Sequence, residues 1–170
     1  AYRRQRQMCI RDSIADLGLI ACPGAEELCK LVDSHLVRWA REVGNTDVDT
    51  FIIPSDCPRF QSGDAKGLVK ASTRGDDLYI FVDPGNYSVT YQLFGYENHL
   101  SPDDHFQNLM RLIQAVAGRA HRISVIMPSL YGGRQHRRVS RESLDCAFAL
   151  QQLRDVGVKN IITFDAHDPR

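Results

Sequence analysis

What most constrains this chain is a stretch near its carboxyl end. Two almost wholly apolar runs, Ile123 to Met127 and Ile161 to Phe164, are separated by a loop and a helical pattern. Runs without polar alternation read as strands buried on both faces, and strand, loop, helix, strand is a βαβ unit of a parallel sheet. The rest of the chain extends this pattern. Leu17 to Ala21 is a short apolar strand closed by Cys22-Pro23-Gly24, and a helix follows from about Ala25 to Glu42. Its Leu28, Leu31, Val32, Leu36 and Ala40 recur at helical spacing. Phe51 to Ile53, the weakly alternating Gly67 to Ser72, and Asp77 to Val82 read as strands, with Thr73-Arg74-Gly75 as a turn. Residues 83–100 show no clear period and read as loop. Ser101-Pro102-Asp103-Asp104 starts a helix: Ser is the N-cap, Pro takes the first position, and two acids face the positive end of the helix dipole. Its apolar face carries Phe106, Leu109, Met110, Ile113, Val116 and Ala117. A last helix is expected from about Arg141 to Val156, ended by Gly157, and a last strand from Asn160 to Phe164. The expected fold is one α/β domain with a mostly parallel central sheet flanked by helices.

Residues are 43% apolar and 25% charged with a formal net charge of zero, so composition gives no reason to expect nucleic acid or an anionic membrane as partner. No apolar stretch approaches the length of a membrane span, and no secretory signal pattern is present. Five cysteines, odd in number and without a CxxC pair, suit reduced thiols and a cytoplasmic location. The first thirteen residues are basic and lack periodicity. They are expected to be a non-native or disordered segment, with the fold beginning at residue 14.

In open α/β sheets, ligands bind outside the carboxyl ends of the strands. Two segments fall there: Pro128 to Ser140, with Gly132-Gly133 and the cluster Arg134-Gln135-His136-Arg137-Arg138, and Asp165-Ala166-His167-Asp168. Adjacent parallel strands would set them side by side. From His105 to Arg141 there is no Asp or Glu, but there are seven arginines, whose planar forks suit phosphate oxygens. Cations, an imidazole and carboxylates at one sheet edge suit a phosphorylated ligand with a divalent cation. The individual residues leave alternatives open. Gly132-Gly133 lacks the Lys and Ser/Thr of a P-loop and reads equally as a turn. Asp165 reads also as a local hydrogen-bonding residue, and His167 as a surface histidine. Cys146 reads as packing rather than nucleophile.

These segments resemble ribose-phosphate pyrophosphokinases. Val125 to Gln135 is similar to the family's strand and Arg-Gln loop, Thr163 to His167 to its strand ending in Asp-Leu-His, and Arg59-Phe60-Gln61-Ser62-Gly63-Asp64 to its Arg-Phe-Ser-Asp-Gly-Glu loop. Asn108-Leu109-Met110 sits where the family has its Asn-Leu-Met helix. The resemblance runs from about Leu17 to Arg170. It is greatest to a longer variant found in clostridia-like bacteria, with Gln-His in the Arg-Gln loop and Arg-Glu-Ser-Leu-Asp-Cys on the next helix. It implies a phosphoribosyltransferase-like domain, with residues 14–170 as the first of two such domains and the phosphoribosyl-binding loop and the flexible catalytic loop in the second. The implied reaction transfers diphosphate from ATP to ribose 5-phosphate with Mg2+, in a cytoplasmic homo-oligomer. Arg134 and Gln135 match the pair that contacts ATP, and His167 matches the histidine near the phosphates and metal. Phe60 and Asp64 match the residues that hold adenine across a subunit boundary. Ser62, Asp64 and His136 depart from the family pattern, and Tyr91 to Leu100 is longer than in the common form. Two rival functions follow. One is a non-catalytic, synthetase-like regulatory subunit. The other is a phosphoribosyltransferase, which would show an Asp-Asp pair at a strand end; no strand end here has one.

Overall fold

A computed structural model describes residues 15–167. The expectation for residues 1–13 lies outside them. In chain order the elements are β1 (Leu17–Ala21), α1 (Glu26–Glu42), β2 (Ser55–Asp56), β3 (Leu68–Val69), β4 (Asp77–Phe81), β5 (Thr90–Leu93), β6 (Tyr96–His99), α2 (Pro102–Val116), β7 (Arg122–Ile126), α3 (Asp145–Asp155) and β8 (Val158–Ile162).

Four strands form a parallel sheet in the order β1-β4-β7-β8. Side chains alternate between its faces. Leu78, Ile80, Val82, Ile123, Val125 and Met127 pack under α2 and α3, whereas Leu19 and Phe81 pack under α1. Helices therefore cover both faces, as a parallel sheet requires. Asp77 and Arg122 pair through two hydrogen bonds where β4 and β7 begin, and the guanidinium holds the Asp77 carboxyl below its ordinary range.

Several expectations need correction. The buried line of α1 is Cys29, Asp33 and Val37, flanked by Leu28, Val32 and Leu36, while Leu31 is exposed. A charged residue can take that line because the Asp33 carboxylate accepts from Phe51 N–H (2.7 Å) and Thr50 Oγ1 (2.9 Å). Those bonds carry 51–53 to the edge of β1, where the expected strand contracts to one parallel bridge, Leu19 to Ile52. The region expected as loop contains a hairpin, β5–β6, turned by Phe94-Gly95 with both residues at positive φ (49° and 86°), as a type I′ turn requires.

The start of α2 has the full capping box. Ser101 Oγ accepts from Asp104 N–H (3.2 Å), and the Asp104 carboxylate accepts from Ser101 N–H (3.0 Å). Ala117 caps the other end, exposed rather than on the buried face. α3 begins at Asp145, not Arg141, because Glu142 turns its carboxylate back to Ser140 Oγ (3.2 Å) and Val139 N–H (3.4 Å). Gly157, at φ 100°, ends that helix, and β8 starts directly after it, two residues earlier than expected. Among the described residues no helix is long and apolar enough to cross a membrane.

Candidate functional site

The loop after β7 and the turn after β8 are stitched together by backbone bonds. Met127 N–H donates to Ile162 C=O (2.9 Å), and Phe164 and Asp165 N–H both donate to Pro128 C=O (3.1 and 3.0 Å). Ser129 and Asp165 extend the parallel pairing by one bridge. From this base the loop coils tightly: Gly133 N–H bonds Leu130 C=O (3.0 Å), and Gln135 N–H bonds Gly132 C=O (2.8 Å). Gly132 sits at φ 67°, and a Cβ there would lie 3.0 Å from the Cys146 backbone nitrogen. A side chain would strain the backbone and crowd the start of α3, so glycine serves both needs here.

Above this base opens a cleft of about 710 Å³, within the range of small-molecule sites. Arg134, Gln135 and His167 all line it, on exposed segments. Pro84-Gly85, which follow β4, and the Pro102-Asp103 start of α2 complete the wall. The position thus spans the carboxyl ends of three neighbouring strands. His136 does not line the cleft; its ring is 5.3 Å from that of His167 and its Nδ1 3.1 Å from Gly133 C=O.

Three carboxylates, Asp103, Asp145 and Asp165, share the cleft with Arg134 and His167. Tyr131 stacks on Phe106 (4.5 Å, 12°) and donates its hydroxyl to Asp103 Oδ1 (2.7 Å). Burial first, and then the hydrogen bond to Asp103, push the Tyr131 phenol up to about 12, so it remains a neutral donor at physiological pH. Residue-level reading passed over Asp103, Tyr131 and Pro84-Gly85. The strand-end rule applied to β4 as well would have flagged the last pair.

Phe60 and Asp64 do not line this cleft. Their loop is a small antiparallel turn, with Phe60 N–H on Asp64 C=O (2.7 Å) and Gly63 N–H on Phe60 C=O (2.9 Å). Both residues are exposed, Phe60 at 54%. Ser62 Oγ donates to Asp64 Oδ2 (2.8 Å), so the departure at Ser62 occupies one carboxylate oxygen of the shortened acid.

Burial pushes up the thiols of Cys22, Cys29, Cys57 and Cys146, with Cys29 and Cys57 at about 11. Thiols so placed are weak nucleophiles, and Cys146 is a packing residue, 7% exposed. Among the described residues no three His, Cys, Asp or Glu side chains cluster closely enough to hold a metal ion. Magnesium commonly takes one or two protein carboxylates and fills its shell with phosphate oxygens and water. The oxygen donor Asp165 beside His167 fits that sparse donation.

A sequence profile described as the N-terminal domain of ribose phosphate pyrophosphokinase matches residues 17–157. Ribose-phosphate pyrophosphokinase 1 of Candida albicans is 26% identical over 140 residues, which are 81% of this chain and 40% of that protein. The crystal structure of phosphoribosylpyrophosphate synthetase from Mycobacterium smegmatis superposes with a TM-score of 0.67 at 22% identity. The match covers 91% of this chain and 44% of that one, and shows a shared fold. The chain thus spans less than half the length of these relatives. With its profile match covering most of its length, the chain belongs to the ribose-phosphate pyrophosphokinase family, whose N-terminal domain it represents.

Proposed function

We propose that this domain supplies the ATP side of the site in an enzyme that transfers diphosphate from ATP to ribose 5-phosphate, giving PRPP and AMP. The observation that carries the reading is one cleft lined by Arg134, Gln135 and His167 at the carboxyl ends of adjacent parallel strands. In this reading Arg134 binds and neutralises phosphate oxygens, and Gln135 orients the nucleotide. His167 donates to the transferring phosphate. Asp165 and His167, together with the nucleotide, would hold Mg2+, which would supply charge neutralisation there. The protein's own contribution is positioning and preorganised charge, the usual division in phosphoryl transfer. Phe60 and Asp64 receive the adenine of a neighbouring subunit in a cytoplasmic homo-oligomer, which accounts for their distance from the cleft.

The test is PRPP formation from ATP and ribose 5-phosphate by the full-length protein, with and without Mg2+. His167→Ala is expected to lower kcat by roughly a hundredfold, since a donor at developing charge acts mainly on the transition state. Arg134→Ala is expected to raise KM for ATP as well. Intact turnover in both variants would sink the site assignment. The isolated domain is expected to be inactive. A second reading, a non-catalytic synthetase-like regulatory subunit, draws on the Ser62–Asp64 contact, which engages the acid proposed to hold adenine. Absence of turnover in the full-length protein alone, restored by an active partner subunit, would select it.

A further inference from the structure

We infer that the first turn of α2 is a common mount for both candidate nucleotide loops, and that Arg59 and Tyr131 are positioning residues fixing them to adjacent carboxylates. The consequence for catalysis rests on the function proposed above; the mount itself does not.

Arg59 is the convergence point. Its side chain is only 11% exposed and meets three different segments. Nη1 donates to Gly63 C=O (3.0 Å), closing the Phe60–Asp64 loop. Nη2 donates to Asp104 Oδ1 (2.7 Å) on the first turn of α2. The guanidinium carbon lies over the Tyr91 ring, 4.1 Å from its centroid, so hairpin β5–β6 braces it from the side. An ammonium has neither the fork nor the plane to make these contacts together. Asp104 is itself fixed. Burial alone would push its carboxyl up, but Ser101 N–H, Ser101 Oγ and Arg59 all donate to it and hold it below the ordinary range.

The neighbouring carboxylate serves the other loop. Asp103 accepts the Tyr131 hydroxyl, and the Tyr131 ring rests on Phe106, one turn further along the same helix. Tyr131 immediately precedes Gly132-Gly133-Arg134-Gln135, so its two anchors set the height of that loop over the cleft. Two consecutive acids on one capped turn therefore set the spacing between the Phe60 loop and the Arg134 loop. That also gives the elongated hairpin a role, as the brace that keeps Arg59 in place.

The experiment uses the full-length protein and variants that keep shape. Asp104→Asn retains an acceptor for the cap but neutralises the pair, Arg59→Lys keeps charge without the fork, and Tyr131→Phe keeps the ring stack without the hydroxyl. Asp104→Asn and Arg59→Lys are each expected to speed amide exchange at Phe60 and Gly63 by roughly tenfold, the scale of one charge-assisted hydrogen bond. The double variant is expected to do no more than either single one. Tyr131→Phe should instead speed exchange at Gly133 and Gln135. In turnover, the variants are expected to raise KM for ATP by about tenfold with kcat changed much less, as misplacement of a binding loop predicts. Unchanged exchange at Phe60 and Gly63 in both variants, with far-UV circular dichroism intact, would overturn the mount. Faster exchange with unaltered KM in an active enzyme would overturn the positioning role. The expected exchange changes in a protein that makes no PRPP would leave the mount standing and sink the functional reading alone.

Discussion

The parallel sheet and the two excursions that leave it, residues 54–72 and 83–100, are held in place by different forces. In the sheet, Ile20, Leu78, Ile80, Val82 and Val125 are fully buried, and β4 is tied to β1 and to β7 by unbroken ladders. The excursions bury little. Phe60, Tyr87, Phe94 and Tyr96 are each more than half exposed. What places them is a short set of polar bonds: Arg59 to Asp104, Asn86 Nδ2 to Gly24 C=O (2.8 Å), and buried His105 Nε2–H to Asn86 C=O (2.7 Å). Apolar burial is non-directional and sums over many contacts, whereas a polar clamp is local and depends on one or two groups. The two kinds of region should therefore fail differently. The sheet should unfold cooperatively, and the excursions should loosen without taking the sheet with them.

The largest expected effect tests the sheet side. Leu112, fully buried on α2, packs in the larger core, and Leu112→Ala is expected to cost about 2–5 kcal/mol in urea unfolding. Tyr96→Ala, at a side chain 77% exposed on the hairpin, should stay within about 0.5 kcal/mol of the parent. Equal losses would erase the distinction.

The next test falls where the two kinds of region touch. A Cβ on Gly67 would lie 2.5 Å from the Arg111 carbonyl oxygen and 2.9 Å from the Leu112 nitrogen, so the chain entering β3 crosses α2 backbone to backbone. Neither atom can swing aside. Gly67→Ala is expected to cost about 1–3 kcal/mol, and to lower the global midpoint because the strain falls on a core helix. A purely local loosening near Leu68 would show that this crossing yields more easily than the sheet does.

The same difference explains what could be read from residues alone. β1, β4 and β7 announce themselves because burial on both faces leaves nearly continuous apolar runs, and α2 because Ser101, Pro102 and Asp104 spell its cap. The hairpin is quieter: Thr90–Leu93 alternates, but its inward residues are only half-buried, Tyr96–His99 shows no alternation, and Phe94-Gly95 is not the usual Asn-Gly turn pair. Arg141 to Leu144 look helical, yet Glu142 finds partners behind it rather than along a helix. At the site, the strand-end rule draws attention to Arg134, Gln135 and His167, because their placement depends only on strand order. Asp103 and its pairing with Tyr131 escape it because that pairing depends on how α2 lies against the loop, a contact with no local signal.

Acid offers a smaller, selective effect. The Asp104 carboxyl is held below its ordinary range, so its contribution is present above the unfolded value of about 4 and lost as pH falls through the folded one. Protection of the Phe60 and Gly63 amides is expected to fall on acidification below about pH 4 while the central sheet amides lose less. Asp104→Asn should remove that step by lowering protection already at neutral pH. Simultaneous loss in the sheet and the loop would mean one cooperative unit.

The smallest effect has the opposite sign. Phe94 holds φ 49°, in the left-handed region where a bulky side chain is strained, and 74% of it is exposed, so it gains little from packing. Asn tolerates that conformation, and Asn-Gly is the favoured pair for a turn with two positive φ angles. Phe94→Asn should therefore stabilise the hairpin by about 0.5–1 kcal/mol, read as slower amide exchange along the ladder that pairs Thr90 with His99 and Leu93 with Tyr96. The global urea midpoint should barely move, since a hairpin that opens at lower urea than the sheet is already open on both sides of the sheet's transition. A matching rise in the global midpoint would join the hairpin to the sheet as one unit. Faster exchange instead would mean that the Phe94 ring supplies a contact outweighing its backbone strain, and that the excursion is held by more than its polar clamps.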